Sequence, residues 1–202
     1  MKKEVRDCFV LAEKDEKKGK KHKGLLIIKP DNRTAEEYIQ KAKINLQLCD
    51  VYKQKGFDYK IPEEWYYTLY YCALAILSKF GIESRSQKCT AFFLRYAKDN
   101  GLIEYEDEFI DRITVYSTKE EKSDVDERET ARYSSSIASK EIESKHEHMT
   151  NICKKAISQA EEIVFSNKEF KIPKELYPIQ KKKQTHQDSR NVLLDISNRL
   201  NN

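Results

Sequence analysis

The chain has 202 residues, a net charge of +4 at neutral pH and 36% charged residues, with only five glycines and four prolines. That length suits one domain with extensions and a substantial core, and so little glycine excludes the P-loop and Rossmann kinds of phosphate loop. No apolar run approaches the ~18 residues that span a bilayer, and the basic start Met1-Lys2-Lys3 leads into charges rather than a signal-peptide core, so a cytoplasmic protein is expected.

In chain order, residues 1–33 form a basic N-terminal extension, in which 1–24 are dominated by lysine. Val5 to Leu11 is amphipathic and fits a short helix or strand. Leu25-Leu26-Ile27-Ile28, between Gly24 and Pro30, is too short for a helix and reads as an extended segment packed along the helices. Thr34 with Glu37 makes a capping box. Tyr38, Ile39, Ala42, Leu46 and Cys49 then follow at helical spacing, giving a first long helix to about Lys55.

Pro62 suits the first turn of the next helix, whose apolar side is Trp65, Leu69, Cys72, Ala73, Ile76, Leu77 and Phe80 and whose stop is Gly81. Ser86 or Ser84 can cap a third helix bearing Cys89, Phe92, Phe93, Tyr96 and Ala97, ending at Asn100-Gly101. A fourth helix is expected from about Glu104 to Ile113, and a sparse stretch, Thr114 to Ser136, reads as loop or exposed helix. A long last helix, about Ser136 to Ser166, carries Ile142, Met149, Ile152, Ala156, Ala160 and Ile163 in phase. Residues 167–202, broken by Pro173 and Pro178, form a C-terminal extension, partly helical or mobile, in which Val192 to Leu200 could dock as a short helix.

Four to five helices with short connections predict an all-α, antiparallel up-and-down bundle over residues 34–166, with a short extended N-terminal segment. Of the five cysteines, Cys49, Cys72, Cys89 and Cys153 lie among apolar residues, as buried thiols in a reducing compartment would. The basic excess sits in residues 1–33 and 168–190, while 34–167 is acidic in balance. A basic flank can hold a polyanion by counterion release, or simply be a solvated tail.

Two segments carry most of the chemistry. The first is the run Pro62 to Phe93, PEEWYYTLYYCALAILSKFGIESRSQKCTAFF; the second is Arg128-Glu129-Thr130-Ala131-Arg132-Tyr133. With the lead-in Gly24 to Ile28 and the stretch Ala35 to Leu46, their order and spacing resemble the HEPN family of small helical proteins, over roughly residues 24 to 166. The resemblance implies a helical bundle, a homodimer that brings two motifs together, metal-independent action on RNA, or partnership with a nucleotidyltransferase. It also implies that Arg128 matches the motif arginine. Tyr133 stands where the motif histidine is expected.

Arginine can clamp a phosphate, whereas tyrosine, with a pKa near 10, is a poor general base at pH 7 and serves instead as a hydrogen-bond donor. The expected function is therefore a nucleotide- or RNA-phosphate-binding module lacking efficient nuclease activity; the resemblance also implies pairing with a nucleotidyltransferase, for which Tyr133 could instead be the modified residue. The first alternative is a toxin-like ribonuclease that keeps Arg128 and Tyr133 as catalytic residues and recruits His146 or His148 as base. The second is a dimeric scaffold. Phosphate-binding candidates are Arg128, Arg132, Arg85 and Lys88; the last two flank a helix start that can hold an anion, or be merely capped. The rings of Trp65, Tyr66, Tyr67, Tyr70 and Tyr71 span three helix stripes, so most are core or interface rather than base-stacking platforms. His146 and His148, two residues apart, do not share a helix face and make no metal pair. No metal or cofactor is expected.

Overall fold

The computed structural model describes residues 1–114 and 139–178. It is mostly helical: α1 (Lys2–Glu16), α2 (Asn32–Lys55), α3 (Ile61–Lys79), α4 (Gln87–Asp99), α5 (Asp107–Arg112) and α6 (Ser139–Val164). One antiparallel sheet pairs β1 (Leu25–Ile27) with β2 (Ile82–Ser84), and 3-10 turns occupy Asp58–Lys60 and Lys174–Leu176. No described helix is long and apolar enough to cross a membrane. The expectations for Thr114 to Ser136 and for Val192 to Leu200 fall, apart from Thr114, outside the described residues.

The central element is α3, packed against α2 and α6. Trp65, Leu69, Cys72, Ala73, Ile76 and Leu77 are buried along it as the spacing predicts, and so are Tyr66, Ala75, Thr68 and Ser78 on other sides. A helix covered on several faces hides its 3.6-residue period. Thr68 keeps its hydroxyl satisfied by donating to the Glu64 carbonyl one turn back, at 2.8 Å. Pro62 lies in the first turn of α3. On α6, Ile142, Met149, Ile152, Ala156, Ala160 and Ile163 are all buried.

Helix α2 begins earlier than the capping box suggests. Asp31, not Thr34, is the N-cap: its carboxylate accepts the Thr34 backbone N–H at 3.1 Å and the Thr34 hydroxyl at 2.7 Å. These bonds hold the Asp31 carboxyl below the usual range. The helix ends at Gly56, in the left-handed region at φ 71°.

The extended segment has a strand partner. Leu25, Leu26 and Ile27 lie opposite Ser84, Glu83 and Ile82, and the pairing continues beyond both strands through Ile28 N–H to Gly81 O (2.9 Å) and Arg85 N–H to Gly24 O (3.2 Å). Two glycines let the chain pack closely here, Gly24 on α1 and Gly81 on the end of β1. A Cβ on Gly24 would stand 2.2 Å from the Cys8 carbonyl oxygen, and one on Gly81 (φ 74°) 2.7 Å from the Ile28 carbonyl oxygen. Gly81→Ala therefore combines left-handed strain with overpacking and is expected to cost about 2–3 kcal/mol in urea unfolding. Gly56→Ala, with open space around its φ of 71°, should cost only the ~1–2 kcal/mol of the backbone term; equal losses at the two sites would contradict the packing of Gly81 on β1.

Both flanks join the same core. Val5, Cys8, Phe9 and Ala12 are buried on α1, which packs against α4, β1 and the 174–176 turn; Phe170, Ile172 and Leu176 are buried from the other end. Glu175 latches these parts together. Its carboxylate meets Lys2 (3.0 Å) and accepts from the Tyr96 hydroxyl (2.6 Å), while its backbone carbonyl accepts from Arg6 (2.8 Å). Cys89 is not a free thiol: it is disulfide-bonded to Cys8, tying α1 to α4. Cys49, Cys72 and Cys153 are buried and free. The fourth helix is shorter than expected, and its carboxylates Asp107 and Asp111 are held by Arg95, with Lys98 also on Asp107.

Candidate functional site

Arg128, Arg132 and Tyr133 lie outside the described residues. Arg85 and Lys88 are exposed at the junction of β2 and α4, but each is engaged separately. The Arg85 guanidinium donates to Glu83 at 2.7 Å, and the Lys88 ammonium lies 5.6 Å from the Phe92 ring centroid. Ser86 is the cap, its hydroxyl accepting the Cys89 N–H at 3.3 Å, and Ser84 and Thr90 share a hydroxyl bond of 2.7 Å. The helix start is thus capped by its own side chains. Glu83 also pairs with His22 (3.3 Å), a buried residue of the lysine-rich segment.

The aromatic set divides as its three stripes require. Trp65 and Tyr66 are buried, while Tyr67, Tyr70 and Tyr71 are half-buried against the core. Tyr38 of α2 stacks on Tyr71 with centroids 5.9 Å apart, and the Lys41 ammonium lies 5.3 Å from the Tyr38 ring. Burial pushes the Tyr38, Tyr70 and Tyr71 hydroxyls up from their ordinary range, so they stay protonated donors.

Among the described residues two clefts stand out. The larger, about 370 Å³, lies between the α4–α5 connection and α6 and is lined by Lys98, Glu104, Tyr105, Glu106, Asp107, Gln159 and Glu162. Several of its polar groups are already consumed: Lys98 pairs with Asp107, and Gln159 donates to Glu106 at 2.8 Å.

The smaller cleft, about 200 Å³, is lined by Lys53 of α2, Asp58 of the 3-10 turn, Ile61 of α3, and Ile142, Glu143 and His146 of α6. His146 is 8% exposed, its ring lies edge-on to Trp65 with centroids 5.9 Å apart, and its Nε2 is buried without a hydrogen-bond partner. Desolvation, helped by Lys53, pushes the imidazole below its usual pKa, against the pull of Asp50 and Asp58. At neutral pH it is therefore an uncharged ring able to donate or accept. His148, two residues on, is exposed, as the helix geometry requires. Sequence reasoning singled out His146 only as a base in reserve and passed over Lys53, Asp58 and Glu143, which read as surface charges. Among the described residues no group of three His, Cys, Asp or Glu is placed to hold a metal ion.

No protein-family model matches the chain, and no curated protein matches it significantly in sequence.

Proposed function

We propose that this chain is a HEPN-like helical module that binds a nucleotide or RNA phosphate, built as an antiparallel up-and-down bundle and acting as a homodimer in the cytoplasm. Arg128 makes the anionic contact, Tyr133 supports it with a hydrogen bond, and Arg132, Arg85 and Lys88 are the further phosphate-binding candidates. A nucleotidyltransferase encoded elsewhere is the partner in this reading; modification of Tyr133 by it is the alternative role for that hydroxyl, since a nucleotidylated tyrosine no longer donates. What supports the reading is the way the segments that carry the resemblance meet. Gly24 to Ile28 and Gly81 to Glu83 form the paired strands, and Ala35 to Leu46 lies in α2 against the tyrosine-rich α3. Each segment serves the same core rather than a separate surface.

The test is binding of single-stranded RNA to the purified chain at two salt concentrations, with Arg128→Ala and Tyr133→Phe beside it. Arg128→Ala is expected to weaken binding about tenfold and to reduce its salt dependence, because one phosphate contact and its released counterion are lost. Binding that is absent, or unchanged in the variant, overturns the proposal.

A ribonuclease with the altered motif is the second reading, and one observation favours it: the neutral imidazole of His146 can accept a proton. The same cleft weakens it, since Asp58 and Glu143 oppose a phosphodiester there. Cleavage in EDTA that depends on Arg128 would put this reading first.

A further inference from the structure

The cleft at His146 combines features that ordinary packing does not explain. Buried polar atoms nearly always have partners, yet behind the cleft wall, out of reach of the cleft itself, the His146 Nε2, the Trp65 Nε1 and the Thr150 Oγ1 are buried without one. Trp65 touches His146 through its ring edge, and Thr150 follows His146 by one turn on α6. At the rim, Lys53, Asp58 and Glu143 carry charges from three different elements, and no ion-pair partner for any of them exists among the described residues. An isolated surface charge needs no explanation; three unpaired charges from three elements around one cleft, over a buried histidine, do.

The balance of charge narrows the ligand. With His146 neutral, the lining carries one cation and two carboxylates, and Asp50 adds a further negative field. A polyanion or free phosphate is repelled by that set, and a simple amine would leave Lys53 unpaired. A molecule with both an ammonium and a carboxylate matches it. The remaining wall is apolar, from Ile61 and Ile142. At about 200 Å³ the cleft has the room of roughly seven waters at ~30 Å³ each, which suits a small metabolite and not a dinucleotide.

We propose that this cleft is a binding site for a free α-amino acid with an aliphatic side chain. Its carboxylate pairs with Lys53, its ammonium lies between Asp58 and Glu143, and its side chain packs on Ile61 and Ile142. His146 contributes its neutral ring to the wall, held in place by the edge of Trp65. The inference does not rest on the phosphate-binding reading, because none of these residues belongs to that candidate set.

Titration calorimetry of the full chain with L-leucine, L-isoleucine and L-valine tests it, beside isopentylamine, 4-methylpentanoate and inorganic phosphate. At least one amino acid is expected to bind saturably below the millimolar range, with the amine-only and acid-only analogues weaker by about tenfold or more. Lys53→Met and Glu143→Gln change exposed rim residues, so both should melt like the parent chain while losing about tenfold in affinity. The His146 imidazole protons, followed by NMR, should shift on ligand addition. No saturable binding, equal binding of the amine-only analogue, or rim variants that bind as well as the parent chain would each overturn the proposal.

Discussion

Trp65→Ala is expected to lower the unfolding free energy by about 3–5 kcal/mol, the range for truncating a large buried aromatic. The indole is 1% exposed in the middle of the core. Its ring braces His146, and its backbone carbonyl faces the Cys153 thiol, which donates to it at 3.8 Å. Removing it leaves a cavity between α3 and α6 that helices pinned elsewhere by α2 cannot close. Trp65→Phe separates two causes of the loss. Phenylalanine keeps most of the ring volume and removes the indole N–H, which has no partner, so it should cost much less, about 1–2 kcal/mol. Urea midpoints of the two variants decide the matter: equal losses would mean that the N–H holds a partner worth as much as the ring itself. Trp65 is the single tryptophan, so unfolding of the parent chain is read from its own emission and that of the variants from circular dichroism.

The helices were legible where local chemistry marks their ends. Gly56, Pro62, Gly81 and Asn100-Gly101 punctuate α2, α3 and α4 because each either breaks the helical hydrogen-bond ladder or takes a backbone conformation other residues avoid. The start of α2 was misplaced because Asp31 and Thr34 are both good caps; what separates them is that Thr34 spends its own hydroxyl on Asp31. The extent of α1 was hidden by its lysines. Its buried residues, Val5, Cys8, Phe9 and Ala12, cover a stripe only because α4 and β1 are there to receive it. A three-residue strand has no period to detect, and its partner lies more than fifty residues away.

The candidate site was legible only in part for the same reason. Arg128 and Tyr133 stand five apart and can be read as a motif. Lys53, Asp58, Glu143 and His146 are brought together by packing of α2, α3 and α6, and each alone looks like a solvated group. No local pattern distinguishes a charge that converges on a cleft from one that faces water.

Loss of the Cys8–Cys89 bond is the other large effect expected. The bond closes a loop with a sequence separation of 81, for which the chain-entropy account gives about 4–5 kcal/mol and practice about 2–5 kcal/mol. The double variant Cys8→Ser/Cys89→Ser should therefore unfold at a clearly lower urea concentration than the oxidised parent, and the parent kept in reductant should match the variant. Thiol labelling checks the cross-link directly. Burial pushes the Cys49 thiol up to about 12 and the Cys72 thiol up as well, so these groups are neither thiolate nor accessible in the fold. The native chain should take up little maleimide; unfolded without reductant it should react at the three free cysteines, and after reduction at all five. Five reactive thiols without reductant would mean that the bond is not made, and α1 would then be held to α4 by packing and the Glu175 latch alone. Three would establish the Cys8–Cys89 bond in the purified chain; the same count from cells acid-quenched and alkylated before lysis would set that bond against the expectation of a reducing cytoplasm.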